Sequence, residues 1–351
     1  MKYLQSALTI LFPVAIVLVI GAAVLLAAGY NPLTVYSDLM TEAFGGQRRI
    51  AASLSAATPL IFTGLAAAVA FRVGVFTVGA EGSLYVGALM AAWLGFTLTG
   101  LNGWLLAPLC LLAGAAAGMV WMLPPGLMKA RLGIDEIVTT LMLNFIAIGL
   151  TTWLVNGPLL APGAANSSTP QVAEAARLTR LMPPSTLTTG FLIALALLVT
   201  YAVWQRRRIG GYETLVGGLA PRFARAAGID MPGLMLRMLL VSGAIAGLGG
   251  AIQVLGPIGR FVAGFSTGYG FTGIAVAILA RGNPLGILIG AVLFGGLSTA
   301  GATIQLFSDV PIEIVNILQG LIMIFAVADF GLRGWFARRT ARQTAAEGGQ
   351  P

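Results

Sequence analysis

The chain has 351 residues, of which 58% are hydrophobic and 9% charged, where a soluble domain carries about 25% charged residues; this is the balance of a polytopic membrane protein. Twenty basic residues outnumber twelve acidic ones, but they are scattered between apolar runs and form no face interleaved with aromatics, so membrane orientation accounts for them and no nucleic acid is expected as a partner. With no histidine, a single cysteine, Cys110, and no clustered acids, an intrachain disulfide, a histidine-based catalytic triad and the usual zinc or haem ligand sets are excluded, and no metal or cofactor is expected.

Lys2 precedes an apolar run from Leu8 to Ala28, long enough to cross a bilayer; the alternative, a cleaved signal peptide, usually has a shorter core. Residues 29–52 are mixed, and Asn31-Pro32 and Gly45-Gly46 punctuate a loop expected to enclose a short amphipathic helix. Further apolar runs at roughly 53–71, 82–99, 104–123, 137–155, 187–205, 237–256, 270–281, 284–304 and 313–331 bring the expected spans to ten. The run at 270–281 is too short to span unaided, and is expected to be a half-helix buried in protein or part of a longer broken helix.

With the N-terminus inside, fifteen basic residues fall on the cytoplasmic side and five, Arg48, Arg49, Arg177, Arg180 and Arg260, fall outside. This satisfies the positive-inside rule and returns both termini to the cytoplasm. The expected architecture is therefore all-α, with about ten transmembrane helices, some of them broken, in a permease domain over 1–335 and a polar tail at 336–351 expected to be disordered. Five spans starting inside and five starting outside suit an inverted 5+5 repeat of the kind transporters use, although no self-alignment of the sequence carries it. Prolines 158, 162, 170, 183 and 184 argue against regular structure in the outer loop at 156–186. Glycines four apart, Gly114 and Gly118, Gly243 and Gly247, Gly286 and Gly290, let helix backbones approach closely.

Two glycine-rich breaks stand out. In FRVGVFTVGAEGSLYVGA, residues 71–88, Thr77, Glu81 and Ser83 are candidate path residues, since irregular backbone at membrane depth is tolerated only where it is covered or lines a cavity. Glu81 in a first helical turn is equally suited to the helix dipole, with no function required. In GFSTGYGFTGIAVAILARGNPLG, residues 264–286, Tyr269, Phe271, Thr272 and Asn283 offer stacking and hydrogen bonds to a polar ring compound, and Asn144 and Gln253 are isolated amides on apolar helices, suited to the path or to bonds between helices. Glu81 apart, no acid lies well inside a span and no GxxxxGK[ST] motif occurs, so neither an ion-driven carrier nor an ATP-hydrolysing chain is favoured.

The polar stretch at 206–237 lies between apolar runs. Arg206, Arg207 and Arg208 close one span, Gly210 and Gly211 are expected to break the chain, and Pro221 to Ala227 form a short amphipathic piece between Gly218 and Gly228. A helix that short needs something to dock against.

These stretches resemble the membrane permeases of bacterial ABC importers of the branched-chain amino acid and simple-sugar class, and within it the longer permease of nucleoside uptake systems. The likeness runs over about 5–331 and is carried by Asn31-Pro32-Leu33, FRVGVFTVGAEGSLYVGAL, GLMKARLGIDEIVTTLMLNFIA, LAPRFARAAGI, SGAIAGLGGAIQVLG and GYGFTGIAVAILARGNPLG. The resemblance implies a non-enzymatic pathway subunit in the bacterial cytoplasmic membrane. It implies two cytoplasmic ATPase subunits, a second similar permease in a homo- or heterodimer, and an extracytoplasmic substrate-binding protein, often a lipoprotein, as partners. It places the ATPase-coupling helix at 219–229, where Pro221 starts it, Arg222 and Arg225 offer charge, and Ala224, Ala227 and Gly228 permit close approach. Related nucleoside permeases carry Asn, Gln and Asp where this chain has Thr77, Ser83 and Thr272, so a simple sugar or another small polar solute stays open as the cargo beside a nucleoside.

Overall fold

The computed structural model describes residues 19–307, 313–321 and 324, and these are mostly helical, with no strand among them beyond two isolated bridges. Residues 322, 323 and 325–331 of the expected span at 313–331 and all of the tail at 336–351 lie outside the described residues. The helices are α1 (Val19–Ala27), α2 (Pro32–Phe44), α3 (Gln47–Arg72), α4 (Ala80–Thr97), α5 (Gly103–Trp121), α6 (Leu123–Leu132), α7 (Glu136–Asn156), α8 (Gly190–Arg207), α9 (Ile209–Leu219), α10 (Pro221–Ala226), α11 (Met231–Gln253), α12 (Tyr269–Ala280) and α13 (Pro284–Phe307). Local chemistry sets several starts. Asn31 accepts the Leu33 N–H at 3.0 Å with Pro32 opening α2, and Asp135 accepts the N–H groups of Ile137 and Val138 at 2.8 and 3.3 Å to open α7.

Five helical stretches are long and apolar enough to cross a membrane: Gln47–Arg72, Gly103–Leu132, Glu136–Asn156, Met231–Ile258 and Pro284–Leu306. The bent pair of α1 and α2, at 114°, would make a sixth. The described residues show five or six such spans and not the expected ten: the run at 270–281 forms a helix of 12 residues, too short to cross unaided, those at 82–99 and 187–205 form helices of 18 residues each, and parts of the runs at 8–28 and 313–331 lie outside the described residues. The short amphipathic helix expected within 29–52 is α2 at 32–44, whereas α3 begins earlier than expected, at Gln47 just after Gly45 and Gly46. At 157–189 the expectation of irregular structure holds, with a single three-residue turn at Glu174–Ala176. Its main chain is nevertheless tied down, Ala173 donating to the Gly95 carbonyl, Val172 to Gly259 and Leu178 to Leu255, at 2.9 to 3.0 Å.

The structure divides into two compact units, Gly46–Gly296, and a second made of the chain before and after it. In the second unit, Leu25, Val35 and Leu39 of α1 and α2 share a core with Ala300 and Ile304 of α13 and with Ile314, Val315 and Leu318. The larger unit is built around a seam where α4, α5 and α11 meet through glycine. A Cβ placed on Gly247 would strike the Gly114 carbonyl and the Gly118 backbone, one on Gly118 would strike the Gly243 carbonyl, and one on Gly87 would strike Gly247 itself. With no side chain between them the helices touch main chain to main chain, the packing expected where apolar burial gives no preference for protein over lipid. Two of the three glycine pairs read from the sequence are thus the two sides of one contact. The third, Gly286 and Gly290, faces Ala280 and Val276 of α12.

Candidate functional site

The chain leaves helical form between α3 and α4, over residues 73–79. Gly74 has φ +80°, left-handed backbone that an L side chain rarely adopts, and Gly218 of α9 lies in contact with it. Backbone groups freed at membrane depth must find partners, and α7 supplies them. Glu136, Thr140 and Asn144 lie four apart on one buried face. Glu136 Oε1 accepts the Phe76 N–H at 3.1 Å, Thr140 Oγ1 accepts the Val78 N–H at 3.3 Å, and Asn144 accepts the Gly82 N–H and donates to the Val78 carbonyl, both at 2.9 Å. Lys129, from the end of α6, closes on the other oxygen of Glu136 at 2.5 Å. Thr77 turns inward and accepts the Gly79 N–H at 3.1 Å.

Asn144 therefore binds main chain with both ends of its amide. Asn144→Leu is expected to leave the Val78 carbonyl and Gly82 N–H unpaired at about 1–3 kcal/mol each, read as a clear drop in the thermal midpoint of the detergent-solubilised protein. Thr151→Val, on the same helix face, removes only bonds to the carbonyls of Ala147 and Ile148 within its own helix and is expected to shift the midpoint far less.

The second break follows α11, which runs into a π turn at Val254–Ile258 containing Pro257; irregular chain then continues to Gly268. The next helix, α12, has 12 residues, held between left-handed backbone at Gly268 (φ 92°) and Arg281 (φ 51°). Its first turn is gripped from both sides. Glu81 Oε2 accepts the Gly270 N–H at 2.5 Å, and Thr63 of α3 donates to the Tyr269 carbonyl at 2.9 Å. Ser266 hydrogen-bonds the Glu81 carboxyl and accepts the N–H groups of Gly268 and Tyr269 at 3.2 and 3.1 Å. Glu81 is itself in the first turn of α4, so the positive ends of two helix dipoles converge on one buried carboxylate. It ties the two breaks together.

The expected path residues sort by position. Glu81, Tyr269 and Gln253 meet here, the last through a hydrogen bond to the Tyr269 side chain, which Thr267 also reaches. Thr77 and Asn144 serve the first break. Ser83 is fully buried, its hydroxyl without a hydrogen-bond partner among the described residues. Phe271 is exposed and Thr272 half-buried on the first turn of α12, whereas Asn283 caps α13, its Oδ1 accepting the Leu285 N–H at 3.1 Å. Sequence reading missed Thr63, Ser266 and the ladder partners Glu136 and Thr140. The spacing of Glu136, Thr140 and Asn144 on an otherwise apolar helix was the available signal. It also missed an aromatic cluster beside this break, Tyr85, Phe261 and Phe265, with ring centroids 4.9 to 6.3 Å apart.

The polar stretch at 206–237 departs from expectation in three places. The chain turns at Arg208, which is extended (φ −108°, ψ 144°), while Gly210 and Gly211 lie inside α9; Gly211 is buried there because its Cα abuts the carbonyls of Trp204 and Gln205. Residues 231–237, expected as loop, already belong to α11, opened by Asp230 accepting the Gly233 N–H at 3.3 Å. Ala224, expected among the residues permitting close approach to a partner, has no exposed surface and packs with Val73, Val75, Met122 and Met231. Pro221, Arg222, Arg225, Ala227 and Gly228 are exposed, and so is Phe223 between the two arginines, an apolar residue that sequence reading passed over. The loop is bolted to the first break: the Arg72 guanidinium donates to Thr214 Oγ1 at 3.3 Å and to the Gly211 carbonyl at 3.2 Å, and Gly218 rests against the Arg72 carbonyl.

Broken helices clamped by buried polar groups, with a short exposed basic helix fixed to one break, are an arrangement suited to a protein embedded in a membrane. The family described as "Branched-chain amino acid transport system / permease component" matches residues 49–327, and the chain belongs to it. It is thus a multi-pass membrane transport component of ABC type, not an enzyme. The chain is similar to the guanosine ABC transporter permease protein NupP of Bacillus subtilis, 33% identical over 95% of this chain and 96% of that one. It is similar to the nucleoside ABC transporter permease protein NupB of Lactococcus lactis, 34% identical over 89% and 88% of the two chains. The glucose ABC transporter permease protein TsgB13 of Haloferax volcanii is 33% identical over 88% of this chain and 84% of its own length.

Proposed function

We propose that the chain is the pathway subunit through which an ATP-driven importer moves nucleosides or related polar ring compounds across the bacterial cytoplasmic membrane. The observation that carries this reading is the near full-length similarity to two permeases named for guanosine and nucleoside transport, on a chain with no nucleotide-hydrolysis motif of the P-loop kind. Energy then comes from two cytoplasmic ATPase subunits, cargo from an extracytoplasmic binding protein, and the second half of the path from a similar permease or a second copy. In this arrangement about ten membrane segments in residues 1–335, related as two inverted halves, keep both termini in the cytoplasm. Thr77, Glu81, Ser83, Asn144, Gln253, Tyr269, Phe271, Thr272 and Asn283 line or support the path. ATP binding by the partners moves α10, Arg72 and Thr214 carry that movement to the 73–79 break, and rigid-body rocking switches access to the path. The similarity to a glucose permease favours a simple sugar as the second reading.

Reconstitution with its ATPase and binding protein, followed by labelled uridine, adenosine or glucose uptake, tests the reading. ATP-dependent nucleoside accumulation is expected; accumulation driven by a proton or sodium gradient without ATP would sink it. Within the loop, Arg222→Glu with Arg225→Glu, and separately Phe223→Ala, are expected to cut ATP-driven uptake by about tenfold or more, since an aromatic or arginine anchor at a protein interface is worth roughly 2 kcal/mol. Elution as a single folded species should be unchanged, and unchanged uptake would remove the docking role.

A further inference from the structure

The helix that precedes the docking element has two apolar sides. Gly211, Thr214 and Gly217 of α9 are buried against the body of the protein, and on the opposite face Ile209 (77% exposed), Tyr212 (60%), Leu215 (41%) and Leu219 (78%) form a bare stripe. Spacings of three and four residues keep these four on one face. A stripe of this size facing water is costly, so something apolar covers it.

Its surroundings indicate what. α8 ends in Arg206 and Arg207, and one extended residue, Arg208, separates it from α9. All three arginines are exposed and have no ion-pair partner among the described residues. Trp204 stacks with Tyr201 at a centroid distance of 6.1 Å just before them, and its ring lies against Gly210 of α9. Tyr201 is buried beneath it, and a partly exposed tryptophan followed by arginines marks the level where hydrocarbon gives way to headgroups. The stripe starts one residue beyond that mark. An apolar face beside a row of unpaired cations is the composition of a helix lying in the plane of a membrane surface.

We infer that α9 is an interfacial helix, its Ile209–Tyr212–Leu215–Leu219 stripe dipping into the bilayer while Arg206, Arg207 and Arg208 hold anionic lipid headgroups. This rests on the reading of the chain as a membrane protein, not on the ATPase-docking role of α10. The lipid would thereby bear on the element that Arg72 clasps, giving membrane composition a route to the first break.

The single native cysteine makes the test direct. In full-length protein carrying Cys110→Ala, nitroxide labels on Tyr212→Cys and on Leu219→Cys are read in phosphatidylcholine vesicles with and without a quarter of phosphatidylglycerol. Collisions with oxygen, which partitions into lipid, are expected to exceed those with a water-soluble nickel chelate at both sites. The excess should grow with phosphatidylglycerol and lose that growth when Arg206, Arg207 and Arg208 are all changed to Gln. A label at Phe145→Cys, exposed on α7, reports the bilayer itself, and one at Arg222→Cys reports water. Nickel-dominated collisions at 212 and 219 with oxygen-dominated collisions at 145 would overturn the inference while leaving the membrane reading intact. Immobilisation of the 212 and 219 labels only when the ATPase is added would assign the stripe to protein docking and overturn it equally. An oxygen excess indifferent to phosphatidylglycerol would overturn the headgroup role of the arginines.

Discussion

Gly247→Val is expected to abolish recovery of a monodisperse permease from detergent, with Gly247→Ala giving a protein that survives extraction but melts well below the parent. The Cβ of either residue meets the Gly114 carbonyl and the Gly118 main chain. Overpacking costs about 1–3 kcal/mol where side chains can shift; here the obstacle is the backbone of a neighbouring helix, so α5 must move off α11. Gly87 of α4 packs on Gly247 too, and its carbonyl lies against Gly114, so all three helices of the seam are in main-chain contact and must shift together. Gly149 provides the contrast. It lies inside α7 with nothing near the place a Cβ would take, and Gly149→Ala is expected to raise the thermal midpoint slightly, by the roughly 1 kcal/mol that separates alanine from glycine inside a helix. Fluorescence-detected size exclusion after stepwise heating reads all three variants, and a monodisperse, heat-stable Gly247→Val would refute the seam.

Glu81→Leu is expected to lower uptake by more than about tenfold and also to destabilise the protein, while Glu81→Gln keeps most of both. The leucine leaves the buried Gly270 N–H and the Ser266 hydroxyl without their shared acceptor, about 1–3 kcal/mol for each unpaired group, at the point where two broken segments are joined. The amide of glutamine still presents one oxygen to Gly270. Uptake that is lost equally in both variants, with thermal stability retained, would mean that the negative charge itself acts on the cargo and that the clamp is incidental.

Local features were legible in the sequence. Asn31-Pro32 and Pro221 are local signals that act within a few residues of themselves, and they start helices in the structure. Glycines four apart announced close packing, although that Gly114 and Gly118 meet Gly243 and Gly247 is a matter of tertiary arrangement. What could not be read depends on long separations. Glu81 and Gly270 are 189 residues apart and Thr63 and Tyr269 are 206 apart, and neither member of a pair signals the other. Asn144 looked like a lone amide because its partners are main-chain atoms, which carry no sequence signature. Ala224 was misread for a related reason: a small residue suits an approaching partner and the protein's own core equally, and only the position of Val73 and Val75 decides between them. Thr77 stands where the resemblance implies an asparagine, yet the bond it makes, to the Gly79 N–H, requires only a short side chain with an oxygen.

The ladder on α7 limits how this region can move. Four main-chain groups between Phe76 and Gly82 are held by three side chains of one rigid rod, so a small roll of that rod about its own axis would break every bond of the set together, with nothing to replace them part-way. Slippage there is all or nothing. Whatever cycle the transporter undergoes, segment 76–82 and α7 should therefore travel as a single piece, and a pair of distance probes across them should read the same value at every stage of the cycle.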